Sequence, residues 1–83
     1  MTSVMSVAYI LISVKPGTAR EVYYKLQKLP NIQQVEAVTG PYDIIATVHG
    51  SDLNAIGNIV IDRILKIEGI SNSMTCSVIQ LEN

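Results

Sequence analysis

The most constraining feature of this 83-residue sequence is an apolar run, Val4 to Val14, in which both alternating sets of side chains are apolar. The run is rich in β-branched residues and ends at Lys15-Pro16-Gly17, which predicts a strand followed by a turn. Because successive side chains point to opposite faces of a strand, we expect this strand to be covered on both faces. It is too short to span a bilayer, which takes about 20 residues.

The next segments predict a helix and two strands. From Thr18, an N-cap candidate, apolar residues recur at helical spacing until Pro30-Asn31 ends the pattern. Ile32 to Thr39 is a looser apolar and polar mixture, which indicates a second strand at a sheet edge. After Gly40-Pro41, the run Tyr42 to His49 predicts a third strand in a hairpin-like connection.

A second helix follows, with Ser51 and Asp52 as N-cap candidates and Gly69 as a C-terminal stop. Its apolar stripe is expected to consist of Leu53, Ile56, Val60, Ile64 and Ile67.

The last predicted strand, Ile70 to Leu81, divides by parity into an apolar set and a hydroxyl set. We expect the apolar set to face the core, which would make Cys76 a buried and inert thiol. We expect the hydroxyl set to face away from the helices. The apolar set is Met74, Cys76 and Val78, and the hydroxyl set is Ser71, Ser73, Thr75 and Ser77.

The order β-α-β-β-α-β predicts an α+β, ferredoxin-like fold in one domain over residues 1–83. Both helices would cover one face of a four-stranded antiparallel sheet, with strands one and three central. The opposite face would be bare. It would not tolerate water, because strand one is apolar on both sides and strand three has Ile45 on one side and Tyr42, Ile44, Ala46 and Val48 on the other. A second copy packing sheet to sheet is the simplest cover, so we expect a homodimer.

Composition narrows the partners and the compartment. Six basic and seven acidic residues give a net charge of −1, so there is no positive field for a phosphate backbone and direct nucleic-acid binding is not expected. One cysteine allows neither an internal disulfide nor a zinc site, and no Lys or Arg precedes the first apolar run as in a signal peptide. We therefore expect a cytoplasmic protein without metal or cofactor, and with no membrane partner.

Groups for catalysis are sparse, and the single histidine, His49, is expected to be solvated at a strand end. The segment Thr39 to Asp43 is different, because it joins a glycine, an aromatic ring and a carboxylate between two strands. Gly40 permits positive φ and exposes amides that could receive a carboxylate, and Asp43 could accept from an ammonium group. The alternative is an ordinary hairpin turn in which Asp43 bonds its own backbone.

Several segments resemble the effector domain of the leucine-responsive/AsnC family of transcription regulators, also called the RAM domain. They are Ala8-Tyr9-Ile10-Leu11-Ile12, Lys15-Pro16-Gly17, Gly40-Pro41-Tyr42-Asp43-Ile44, His49-Gly50, Asp52-Leu53 and Ile67-Glu68-Gly69-Ile70. The resemblance covers about Val7 to Leu81.

The resemblance implies a non-enzymatic module that dimerises through its sheets, assembles into rings of dimers and binds small amino acids between dimers. Family members normally carry an N-terminal helix-turn-helix, whereas only Met1 to Ser6 precede the module here, so we expect a stand-alone copy that does not bind DNA. Mixed assembly with a full-length regulator would pass on the signal. The implied ligand-binding residues are Val38, Thr39, Gly40, Tyr42 and Asp43, with Ser73, Thr75 and Ser77 from a neighbouring subunit.

Two other classes of function stay open. Dimeric α+β barrel enzymes, such as isomerases and monooxygenases, share this element order, and His49 or Tyr9 would then be the acid or base. A purely structural oligomerisation module without a ligand is the third interpretation.

Overall fold

The computed structural model describes residues 5–81, and its elements follow the predicted order. The strands are β1 (Ser6–Val14), β2 (Ile32–Ala37), β3 (Ile44–Gly50) and β4 (Ile70–Ser77), and the helices are α1 (Ala19–Gln27) and α2 (Leu53–Ile59). A π-helical segment, Val60–Ile64, continues α2. Val4, the predicted start of strand one, lies outside the described residues.

The strands form one antiparallel sheet in the order β2-β3-β1-β4, so β1 and β3 are central and β2 is an edge, as predicted. Side chains from β1, β3, β2 and both helices form one core between the helices and one face of the sheet. This arrangement confirms the ferredoxin-like α+β fold. The buried core residues are Ala8, Ile10, Ile12, Val22, Leu26, Val35, Ile44, Ala46, Val48, Ile56, Val60 and Ile64.

The two helices begin differently. Asp52 is extended, and its carboxylate accepts a hydrogen bond from the Ala55 N–H at 2.8 Å, as an N-cap should. Thr18 also holds the N-cap position, but its backbone is helical and its side chain does not cap α1. The Thr18 hydroxyl instead donates to the carbonyl of Lys15 at 2.7 Å. That bond stabilises the turn before α1 and leaves the helix without a side-chain cap.

The second helix departs from the predicted stripe at its start and widens at its end. Leu53 is 55% exposed because it occupies the first position after the cap, whereas Ile56, Val60 and Ile64 are buried as expected. The Leu65 N–H donates to the Val60 carbonyl at 2.8 Å, a span of five residues. This π-type bond keeps Ile64 against the sheet while Leu65 points to solvent.

Gly69 joins the second helix to β4 at a position where no side chain fits. Its φ is +107°, and a Cβ there would lie 2.9 Å from Cγ2 of Val22 and 3.0 Å from Thr18. Its carbonyl accepts a hydrogen bond from the Lys15 N–H at 2.8 Å. The backbone at Gly69 therefore packs directly on α1 and on the loop before it.

The register of β4 contradicts the predicted assignment of its two faces. Ile10 pairs with Thr75, and Leu11 pairs with Met74. Paired residues of an antiparallel ladder share a face, so Thr75 lies on the helix side with the buried Ile10 and Met74 lies on the opposite side. By the same register, Ser73 and Ser77 are on the helix side and Cys76 is on the opposite side.

Both sets of β4 side chains reach solvent, so neither set is a core face of the kind that the parity prediction assumed. Thr75 and Ser77 are exposed although they share a face with the core, because β4 is the edge strand beside β1 and the core is built from the other strands and the helices. Cys76 is exposed rather than buried.

Candidate functional site

The predicted site begins at the loop of residues 38–43, which connects β2 to β3. β2 ends at Ala37, so Val38 and Thr39 belong to this loop and not to the strand. The Val38 N–H donates to the Asp43 carbonyl at 2.9 Å, and the Asp43 N–H donates to the Ile12 carbonyl at 2.9 Å. These two bonds close the base of the loop and attach it to the end of β1.

The carboxylate of Asp43 adds a third attachment. Its Oδ2 accepts from the Val14 N–H at 2.9 Å, at the point where the β1–β4 register shifts between Ser13 and Val14. The partner lies 29 positions away in sequence, so this is neither a free carboxylate nor a bond within its own turn. Asp43 supplies an acceptor to a backbone amide beside a bulge in the sheet.

The tip of the loop presents unpaired amides. Gly40 has a φ of +131°, and apart from its two chain neighbours no heavy atom of the described residues lies within 4 Å of where its Cβ would stand. Within residues 5–81 the N–H groups of Thr39, Gly40 and Tyr42 donate to no backbone acceptor. Successive free amides next to a residue with positive φ can form an anion-binding concavity, so the tip suits a carboxylate.

Tyr42 lies at the end of the sheet face opposite the helices. It therefore does not share a side with the buried Ile44, although the alternation predicted that it would. Its hydroxyl contacts Sδ of Met74 at 3.7 Å, and Met74 pairs with Leu11 on that opposite face. The alternation breaks here because Tyr42 belongs to the loop and β3 begins only at Ile44.

Within one chain, the fold does not bring the loop together with the predicted hydroxyl residues of β4. We call these residues, Ser73, Thr75 and Ser77, the hydroxyl row. Ser73 pairs with Ile12, which pairs with Ile44, so Ser73 is the hydroxyl residue in the row nearest the loop. Since β1 lies between β3 and β4, about 10 Å separates the backbones of those two strands. Thr75 and Ser77 follow farther along β4. The geometry of one chain therefore does not bring these hydroxyl groups together with the loop.

The sheet face opposite the helices, here called the open face, carries an apolar patch larger than the sequence indicated. Tyr9, Met74 and Val78 are 46%, 50% and 44% exposed. The Val78 N–H donates to the Val7 carbonyl at 2.9 Å, which extends the pairing beyond β4. The apolar residues of the open face are Val7, Tyr9, Leu11, Ile45, Met74 and Val78.

Sequence reasoning assigned Met74 and Val78 to the core and so missed their place on the open face. Their alternation in phase with Cys76 was the right signal, but it shows only that the three residues share a face. Deciding which face requires the register with β1.

The two residues considered for catalysis also lie on the open face. Tyr9 pairs with Thr47, and His49 pairs with Val7 one row farther along. The backbone of His49 is held by Asn31 through bonds of 3.0 and 3.2 Å. Residues 5–81 contain no cluster of three or more His, Cys, Asp or Glu that could hold a metal ion, and no helix among them is long and apolar enough to cross a membrane.

Comparison with known proteins gives a consistent result. Residues 7–81 match the model of the Lrp/AsnC ligand binding domain. The uncharacterized HTH-type transcriptional regulator PH1916 of Pyrococcus horikoshii is 35% identical over 71 residues, covering 82% of this chain and 47% of that protein. The chain thus spans about half the length of the curated relatives it matches.

Two solved structures superpose closely on this fold. The crystal structure of FFRP-DM1 has a TM-score of 0.84 at 30% identity, covering 89% of this chain and 99% of that one. The transcriptional regulator NMB0573 of Neisseria meningitidis, crystallised as a complex with L-Met, has a TM-score of 0.81 at 26% identity, covering 90% of this chain and 50% of that one.

Proposed function

The chain belongs to the Lrp/AsnC family through its ligand-binding domain, and from that premise we propose that it is a regulatory module that binds a small amino acid. Binding would be coupled to assembly of the chain with further copies. The observation that carries the proposal is the loop tip, where Gly40 leaves free amides beside an anchored carboxylate.

The loop offers complementary groups for a zwitterion. The amides of Thr39, Gly40 and Tyr42 would receive the α-carboxylate. Oδ2 of Asp43 is engaged by Val14, so its other oxygen, Oδ1, would accept from the α-ammonium group. Val38 and Tyr42, both half-buried, would contact the side chain of the amino acid. The complex of NMB0573 with L-Met supports an amino acid as the ligand class.

A neighbouring copy would complete the site. Ser73, Thr75 and Ser77 form a row on the helix side of edge strand β4, and Thr75 and Ser77 are exposed. Because β1 separates these residues from the loop of the same chain, they would contact the ligand bound at the loop of another copy. A ligand that bridges two copies stabilises the assembly by mass action.

The open face would form the dimer. Its apolar side chains lie on neighbouring strands, with Tyr9, Met74 and Val78 each about half exposed, and a second sheet packed on them would remove this surface from water. Rings of such dimers would then bring loops and hydroxyl rows together. The relatives are transcription regulators, which supports a cytoplasmic module that acts without catalysis. It would act alone or in mixed assembly with a full-length regulator.

A thermal-shift screen of the twenty amino acids, read together with light scattering, tests the proposal. A ligand present at one hundred times its Kd adds about 2.7 kcal/mol to the free energy of unfolding, and each kcal/mol raises the Tm of a domain this size by about 4–8 °C. We expect one or a few amino acids to raise the Tm and to change the scattering mass.

Gly40→Ala tests whether the loop tip is the binding site, and Gly17→Ala is its matched control. Both glycines have positive φ, +131° and +83°, and both have open space where a Cβ would go. Both variants should therefore lose some stability to backbone strain, but only Gly40→Ala should lose the response to the amino acid. A screen without any hit, or equal responses from the two variants, would refute the proposed site.

A further inference from the structure

An open cavity on the helix side of the molecule is lined by none of the residues assigned to the loop tip or the open face. It has a volume of about 280 Å³ and lies between the start of α1 and the end of β2. Its lining residues are Ala19, Arg20, Tyr23, Tyr24 and Ala37. Alanines on both walls leave the space that larger side chains would fill. We call it the α1–β2 cavity.

The aromatic wall of this cavity is ordered by packing. Tyr23 is half-buried and packs against the core, and Tyr24 is 52% exposed. Their ring centroids lie 5.3 Å apart with an interplanar angle of 76°, an edge-to-face pair. A planar group entering the cavity would meet phenol rings that are already positioned.

Arg20 gives the cavity its charge. It is exposed in the first turn of α1, where the partial positive charge of the helix N-terminus adds to that of the guanidinium group. A guanidinium group binds a carboxylate through two parallel hydrogen bonds. The cavity therefore combines a planar anion receptor with an apolar aromatic wall.

From this combination we propose that the α1–β2 cavity is a second ligand site, specific for a small aromatic carboxylate. The carboxylate would bind Arg20, and the ring would pack against Tyr23 and Tyr24. A volume of 280 Å³ is just below the range of about 300–1,000 Å³ typical of drug-sized ligands, so the cavity suits a small ligand. The lining of this cavity shares no residue with the amino-acid site proposed above.

The probe is phenylacetate, with the neutral phenylacetamide as its shape-matched control. In saturation-transfer NMR with the full chain, we expect phenylacetate to bind with a Kd of about 1 mM or tighter and the amide to bind at least tenfold more weakly, roughly the loss of one charge-assisted contact.

Arg20→Gln should weaken phenylacetate binding about tenfold or more, while Arg63→Gln, at the other exposed arginine, should not change it. Both positions are exposed, so both variants should fold like the parent, which circular dichroism checks. Tyr24→Leu should also weaken binding, because it removes one ring of the pair. Arg20→Gln should leave the amino-acid thermal shift unchanged.

Absence of saturable phenylacetate binding, equal binding of the amide, or equal Kd values for Arg20→Gln and Arg63→Gln would each overturn the proposal. None of these results would bear on the loop site, because its test uses different ligands and the Gly40 and Gly17 variants.

Discussion

Replacing Asp43 separates its structural role from its proposed role in binding. The Asp43 carboxylate is half-buried and accepts from the Val14 N–H at 2.9 Å, where the β1–β4 ladder shifts register. In Asp43→Ala the two backbone bonds of residue 43, to Val38 and Ile12, can persist. The loss is therefore confined to one side-chain hydrogen bond.

The magnitude follows from that single bond. A hydrogen bond to a charged group contributes about 1.5–3 kcal/mol, and half-burial lets water partly replace it, which favours the lower end. We expect Asp43→Ala to lower the free energy of unfolding by about 1.5–2 kcal/mol. Asp43→Asn keeps an uncharged acceptor and should lose roughly half as much.

Urea unfolding at one fixed protein concentration is the assay, because assembly makes stability depend on concentration. Asp62→Ala is the matched control, since Asp62 is an exposed aspartate, and it should stay within about 0.5 kcal/mol of the parent. If Asp43→Ala were as stable as Asp62→Ala, the bond to Val14 would not stabilise the fold. The same variants titrated with the best amino acid should show weaker binding for Asp43→Ala, by about 1.5–3 kcal/mol.

Four further results are expected. Ile45→Lys, on the open face, should give a folded monomer by light scattering, whereas Ile12→Lys, in the core with no exposed surface, should unfold the chain. Equal behaviour of the two variants would contradict the assignment of Ile45 to the open face. Gly69→Ala should lower the free energy of unfolding by at least about 1 kcal/mol, because its Cβ would meet Val22 at 2.9 Å; an unchanged urea midpoint would refute this. Thr75→Val should weaken amino-acid binding less than Asp43→Ala does and shift the assembly seen with ligand; calorimetric data identical to the parent would remove the hydroxyl row from the site. The 83-residue chain, with its net charge of −1, should not retard duplex DNA in a gel shift at physiological salt; sequence-specific retardation would count against this expectation.

Element order and strand centrality could be read from the sequence because they depend on local pattern. Both alternating sets of Val7 to Val14 are largely apolar, and only a central strand tolerates this. Asp52 was identifiable as a cap because its chemistry acts over three residues. Such local signals can be interpreted without knowing which distant segments pack against them.

The errors in the assignment of faces and hydrogen-bond partners concern relations between distant segments. Parity grouped Met74 with Cys76 correctly, but the face they occupy is set by pairing with Leu11 and Tyr9. Asp43 was expected to bond its own turn or to stay free, and its partner at Val14 depends on a register shift that no local pattern encodes.

Edge strand β4 has a consequence for the solution behaviour of the protein. Ile70–Ser77 contains no charged residue and no proline, which are the usual means by which exposed strand edges resist unwanted pairing. The opposite edge, β2, does carry a charge, Glu36. We therefore expect the β4 edge of a free protomer to be open to strand addition from another chain.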